Sequence, residues 1–114
     1  MKEITIDGIT YVPKVEIDTS GMKYCIVRTY SAGVFAGYVE SRNGQEVVMR
    51  NARRIWYWDG AASLSQLAMS GTSKPENCKF PEPVDKVTLT QAIEIIECSP
   101  IAVNCIKAVK VWKQ

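Results

Sequence analysis

The chain has 114 residues, 46% hydrophobic and 23% charged, which is the size and composition of one globular domain spanning residues 1–114. Histidine is absent. This excludes Ser/His/Asp and Cys/His nucleophilic machinery, His-ligated zinc, and an imidazole that changes charge near neutral pH. Fourteen basic against twelve acidic side chains leave a net charge of +2, too small a field for a protein that coats long nucleic acid, so any anion site must be local.

No apolar run reaches the roughly 20 residues of a bilayer span, and MKEITIDGIT lacks the basic-then-apolar order of a signal peptide. A cytosolic chain without membrane contact is therefore expected. Cys25, Cys78, Cys98 and Cys105 form no CxxC pair. In a reducing compartment they are expected as free thiols packed like small hydrophobes.

In chain order, Ile4 to Ile6 and Ile9 to Val12 bracket Asp7-Gly8, the two-residue signal of a type I′ hairpin. Pro13 and the cluster Asp18-Thr19-Ser20-Gly21 then break the ladder. Lys23 to Tyr30 and Gly33 to Glu40, rich in β-branched and aromatic residues, predict two strands divided at Ser31-Ala32-Gly33. Arg42-Asn43-Gly44-Gln45 is a second turn, followed by Glu46 to Met49 and, beyond Asn51, by Arg53-Arg54-Ile55-Trp56-Tyr57-Trp58. If that last segment is a strand, Arg54, Trp56 and Trp58 share one face and Arg53, Ile55 and Tyr57 the other.

Gly60 through Met69 predicts a short helix with Leu64, Leu67 and Ala68 at helical spacing and Gly71 as its stop. Thr72 to Asn77 reads as a loop, and Pro81 and Pro83 confine Phe80 to an irregular or edge position. From Lys86 the odd-numbered alternation Val87, Leu89, Ile93, Ile95 predicts one more strand. Ser99-Pro100 supplies an N-cap and an N1 proline for a second helix carrying Ile101, Val103, Cys105 and Ile106. Val109 to Trp112 is expected to close the sheet. The fold class that follows is α+β: β-rich, a mostly antiparallel sheet with two short helices.

All five arginines fall between positions 28 and 54, whereas the nine lysines are spread over the chain. Between Ser41 and Trp58 four arginines face a single acid, Glu46, and the run ends in three aromatics. Guanidinium groups grip phosphate through paired hydrogen bonds, and aromatic faces stack bases at about 1–3 kcal/mol each. Together they describe a nucleotide pocket, although arginines paired across a hairpin and aromatics buried in a core or interface would give the same composition. Arg28-Thr29-Tyr30-Ser31-Ala32-Gly33 is a second candidate, a turn able to hold an anion in a backbone nest. No GxxxxGK[ST], GxGxxG, HExxH or calcium-loop pattern occurs, and no arrangement calls for catalysis or a cofactor.

The segments VRTYSAGVFAGYV (27–39), NARRIWYWDGAASLSQLA (51–68), PENCKF (75–80) and IEIIECS resemble the small phage proteins that antagonise the bacterial Thoeris defence, specifically the first-described sponge family. The likeness covers about residues 23 to 113. It implies a non-enzymatic protein of the host cytoplasm that sequesters glycocyclic ADP-ribose signals without cleaving them, and that also holds CBASS cyclic trinucleotides. It also implies β-rich dimers able to assemble into hexamers, with ligand enclosed at subunit boundaries.

For the cyclic trinucleotide, the resemblance points to Arg28, Thr29, Ser31 and Ala32. For cyclic ADP-ribose it implies Arg53 and Arg54 on the pyrophosphate, Trp56, Trp58 or Phe80 on adenine, and Asn77 or Asn104 on polar groups. Lys107, Lys110 and Lys113 stand where the family uses arginine, which weakens a phosphate role there. The rival reading is a phage structural or host-protein-binding module that uses Trp56, Tyr57 and Trp58 as an interface. A single-stranded nucleic-acid binder conflicts with the small net charge, and a phosphodiesterase lacks histidine and an acidic metal cluster.

Overall fold

A computed structural model describes residues 4–6, 9–11 and 18–113. Its elements are β1 (Ile4–Ile6), β2 (Ile9–Tyr11), β3 (Lys23–Thr29), β4 (Val34–Asn43), β5 (Glu46–Arg54), α1 (Leu64–Ser70), β6 (Val84–Leu89), β7 (Ala92–Glu97) and α2 (Pro100–Ala108), with one 3-10 turn at Pro75–Asn77. β1 and β2 pair antiparallel with Ile6 opposite Ile9, the spacing of the expected two-residue hairpin. Asp7, Gly8, Val12 and Pro13 lie outside the described residues. The Asp18 cluster is a turn as expected, with the Ser20 N–H on the Asp18 carboxylate at 2.9 Å.

The remaining strands form one antiparallel sheet in the order β6-β5-β4-β3-β7. Its centre is the β4–β5 hairpin. Asn43 pairs with Glu46, so the central turn residues are Gly44 and Gln45, one position later than the Asn-Gly pair suggests. Gly44 has φ 61, and positive φ at the first central position is what a type II′ turn requires.

Two bulges shape this hairpin. The register slips once on β4 between Val39 and Ser41 and once on β5 between Arg50 and Arg53. One extra residue on each strand restores the original register, so Phe35 still faces Arg54. The β5 bulge holds Asn51 at φ 48, a left-handed conformation that asparagine tolerates better than most residues. Opposite it stands Gly37, where a Cβ would lie 2.7 Å from the Ala52 Cα.

Bulges increase local twist and bend, and this sheet curls until its borders approach each other. Cys25, Val27, Phe35, Val47, Met49, Ala52, Leu89 and Ala92 form one buried cluster with members from all five strands. At the rim the Ala92 N–H donates to the Gln45 carbonyl at 3.0 Å, while Ala92 stays in register with Thr29. The alternation running from Val87 to Ile95 is therefore two strands, not one. β6 borders β5, β7 borders β3, and Thr90-Gln91 links opposite edges of the sheet.

The convex face carries the second cluster, in which Tyr24, Ile26 and Ala36 meet Leu67, Ala68, Phe80, Ile106 and Val109. Both faces of β3 are thus covered, which its nearly continuous apolar run requires. α1 starts at Ser63, whose hydroxyl accepts the Gln66 N–H, and stops at Gly71 with φ 73. α2 starts at Ser99, whose hydroxyl accepts the Ala102 N–H, with Pro100 in the first turn. The Ser99 cap and the Gly71 stop are as expected, whereas α1 begins at Leu64, after the Ser63 cap, and not at Gly60. Val109 to Trp112 does not join the sheet: Val111 makes one isolated parallel bridge to Phe80, and the Trp112 N–H bonds the Phe80 carbonyl at 3.0 Å. Among the described residues no helix is long and apolar enough to cross a membrane.

The close approach at Gly37 gives a direct check. Gly37→Ala is expected to lower the unfolding free energy by about 1–3 kcal/mol through overpacking. Gly21→Ala, where nothing lies within 4 Å of the added Cβ, is expected to change it by less than about 0.5 kcal/mol in urea titrations.

Candidate functional site

The arginine cluster separates once each guanidinium is followed to its acceptors. Arg28 pairs with Glu94 at 3.2 Å, Arg50 with Glu40 at 3.1 Å, and Arg42 donates to the Gly44 carbonyl at 2.9 Å. Arg53 is 3% exposed. Its Nε donates to the Pro81 carbonyl at 3.2 Å, Nη1 to those of Ile106 and Val109 at 3.1 and 2.9 Å, and Nη2 to that of Phe80 at 2.7 Å. The same guanidinium lies 5.4 Å from the centre of the Phe80 ring. Burial pushes its pKa down, opposed by Tyr24. Arg53 and the fully buried Phe80 are thus parts of the core and present no surface to a pyrophosphate or an adenine, contrary to the expectation for both.

Arg54 is different. It is exposed, and its guanidinium lies 4.6 Å from the centre of the Phe35 ring, its cross-strand partner. Among the described residues it is the one arginine with neither an ion pair nor a side-chain hydrogen bond. A cation held on an aromatic face keeps its N–H donors available for an anion.

Arg54 lines a groove of about 440 Å³ together with Ser31, Ala32, Gly33, Val34, Ile55, Trp56 and Trp58. One wall is the loop between β3 and β4. The Thr29 hydroxyl donates to the Gly33 carbonyl at 2.7 Å and accepts the Ala32 N–H at 2.8 Å, and Gly33 closes the turn at φ 97. Thr29 is buried, so it shapes the loop rather than meeting a ligand. Arg28 is engaged with Glu94 and is not among the groove residues. Of the four residues expected at a trinucleotide site, Ser31 and Ala32 therefore reach the groove, beside three of those expected for cyclic ADP-ribose.

The other wall follows β5, which ends at Arg54 instead of continuing to Trp58. An isolated antiparallel bridge from Tyr57 to Lys79 supports the segment beyond it. The N–H groups of both Trp56 and Tyr57 donate to the Lys79 carbonyl, at 3.0 and 3.3 Å, so the segment is bulged; the buried Ile55 lines the groove with Trp56 and Trp58, and the Lys79 ammonium is 5.8 Å from the Tyr57 ring centre and 5.6 Å from that of Trp112. The Trp58 indole N–H donates to the Ala61 carbonyl at 3.2 Å.

The expected amides lie elsewhere. Asn77 donates to the Asp59 carboxylate at 2.9 Å, and this bond, with the Gly60 N–H, holds the Asp59 carboxyl below its ordinary range. Asn104 is exposed on α2 and lines none of the groove. Lys107 donates to the Tyr38 hydroxyl at 2.9 Å. All four cysteines are free, with Cys25 and Cys78 buried, and burial pushes the Cys98 thiol up to about 12. Val34, Ile55 and the supporting Phe35 were not foreseen. Counting the β4–β5 register back from the observed Asn43–Glu46 pair places Phe35 opposite Arg54, whereas counting from the expected Asn43-Gly44 turn places Ala52 there.

Comparison with protein families gives one match: residues 22–106 fit the family described as "Domain of unknown function (DUF6948)", and the chain belongs to that family. No curated protein and no solved structure matches it.

Two neighbouring arginines with opposite environments invite a paired test. Arg53→Met removes four hydrogen bonds to carbonyls, three of them buried, and leaves that of Val109 without its guanidinium donor; it is expected to cost about 3 kcal/mol or more of stability. Arg54→Met is expected to stay within about 0.5 kcal/mol of the parent chain. Chemical denaturation of both variants measures the contrast.

Proposed function

We propose that this DUF6948 member is a phage anti-defence binding protein that sequesters cyclic nucleotide immune signals, foremost glycocyclic ADP-ribose, without cleaving them. The observation that carries the proposal is the unengaged Arg54 guanidinium on Phe35, beside the indoles of Trp56 and Trp58. One guanidinium suits a phosphate or pyrophosphate, and the indoles suit a base. The resemblance in VRTYSAGVFAGYV and NARRIWYWDGAASLSQLA supplies the biological setting. Ser31 and Ala32 on the same groove support binding of a cyclic trinucleotide as a further ligand.

The chemistry of the lining favours binding over turnover. Its polar side chains are Ser31, Arg54 and two indole N–H groups, one of them bonded to Ala61, and none is a general base near neutrality. Sequestration needs tight binding, since nanomolar affinity corresponds to about −12 kcal/mol, and an open groove gains from enclosure. Tyr30 at 76%, Trp56 at 64% and Tyr57 at 50% exposure are large rings available to a second copy, and the proposal includes a homo-oligomer, dimer or hexamer. The same rings favour a second reading, a docking face for a host protein.

Isothermal titration with a glycocyclic ADP-ribose isomer is expected to give submicromolar binding, with intact ligand released on heating. Loss of one charge-assisted contact pair in Arg54→Ala is expected to weaken it about 10- to 150-fold. Hydrolysed product, or affinity unchanged in Arg54→Ala, contradicts the proposal. If cyclic nucleotides fail to bind while Trp56→Ala abolishes capture of a protein partner, the second reading holds.

With no histidine, carboxylate or thiol in its lining, the groove is expected to bind with constant affinity between about pH 6 and 8. Titrations across that range measure it.

A further inference from the structure

We infer that Phe35 is a positioning residue: its ring holds the Arg54 guanidinium at the groove with the N–H donors unused, so that Arg54 is preset for the oxygens of a phosphate or pyrophosphate before a ligand arrives. The inference rests on the nucleotide-binding reading of this groove and adds a residue that does not itself line it.

The chain contains its own comparison. Arg53 and Arg54 are consecutive, and each guanidinium carbon lies over a phenylalanine ring, 5.4 Å from the centre of Phe80 and 4.6 Å from that of Phe35. At Arg53 the donors are in use, with four carbonyl oxygens accepting from them at 2.7 to 3.2 Å. At Arg54 none of the five N–H donors has an oxygen acceptor among the described residues. No carboxylate lines the groove, and Arg54 is the one charged side chain in its lining. Arg53 thus shows what a guanidinium held on a phenylalanine takes up when oxygens are within reach. Arg54 has the same support, and its oxygens have to come from outside the chain.

The support is firm. Phe35 is 4% exposed and packed in the cluster that also holds Val27, Met49 and Ala52, and it stands directly across from Arg54 in the β4–β5 register. Cross-strand partners lie close enough to touch on one face, and the negative ring face attracts the cation. Gly33, at φ 97, adds no side chain beside the guanidinium, where a Cβ would already lie 3.8 Å from the Arg54 Nε. Ordering a long, freely rotating side chain on binding costs a ligand about two- to tenfold in affinity. An arginine already held on a buried ring spares most of that factor.

The experiment is isothermal titration of the full chain with inorganic pyrophosphate and with ADP-ribose. Pentafluorophenylalanine at position 35 keeps the ring in the core but reverses the polarity of its face. It is expected to weaken both ligands about three- to tenfold, and Phe35→Leu, which removes the ring, to a similar degree. In an Arg54→Ala background the same fluorinated ring is expected to change ADP-ribose affinity by less than about twofold, whereas a role for Phe35 in packing alone would weaken it equally in both backgrounds. The positioning role is overturned by that equal loss, by affinities of the fluorinated chain within about twofold of the parent for both ligands, or by failure of both ligands to bind at about 10 mM. If both bind in a Phe35-dependent way while glycocyclic ADP-ribose isomers do not bind, the sequestration reading fails and the positioning role stands.

Discussion

The buried guanidinium of Arg53 joins parts of the molecule that no local rule would bring together. Its acceptors are carbonyls from the Phe80–Pro81 segment and from the end of α2, so one side chain of β5 fastens the helical layer and the C-terminal segment to the sheet. No carboxylate takes part. The cation is compensated by carbonyl dipoles and by the Phe80 ring, which suits a planar fork with several donors and would not suit the compact ammonium of lysine. Because strand neighbours point to opposite sides, burying Arg53 on the helix side sends Arg54 to the other side, onto Phe35 and into the groove. The structural and the candidate functional arginine are thus placed by a single alternation.

The groove depends on that arrangement at both walls. Ile55 is buried two residues after Arg53, and the Arg53–Phe80 contact sets the neighbouring Lys79 beside Tyr57, where it supports the Trp56–Trp58 segment. The loop wall is maintained independently by the Thr29 hydroxyl. A rigid strand edge and an internally bonded loop meet at Arg54, and the side chains left outside this framework are the ones with capacity for a ligand: Ser31, Arg54 and Trp56.

What was legible in the sequence is what local chemistry encodes. The Ser99 cap, the Gly71 stop, the hairpin around Gly44 and the strands on either side of Ser31-Ala32-Gly33 each depend on a few consecutive residues. The errors arose where distant chain decided. Arg53 reads as a ligand group because its acceptors lie 27 to 56 residues away, and Phe80 reads as available because its cover comes from α2 and the C-terminal segment. Val87 to Ile95 reads as one strand because Thr90-Gln91 has neither glycine nor proline to mark a turn and keeps the apolar parity intact. Val109 to Trp112 carries β-type residues but finds only Phe80 as neighbour. In the candidate site, Arg54, Trp56, Trp58, Ser31 and Ala32 were legible by type, while their convergence followed from a register that two cancelling bulges preserve.

The link between β6 and β7 has a mechanical side. Two residues tether strands that border opposite edges of the sheet, so the sheet is laced shut by its own covalent chain. Neither border can dock while the other stays loose over any length of chain, because Thr90-Gln91 supplies too little slack. A displacement of one border is therefore passed to the other through two residues. The groove loop therefore starts from a doubly held strand end, with the Thr29 end of β3 bonded to β7 on one side and to β4 on the other.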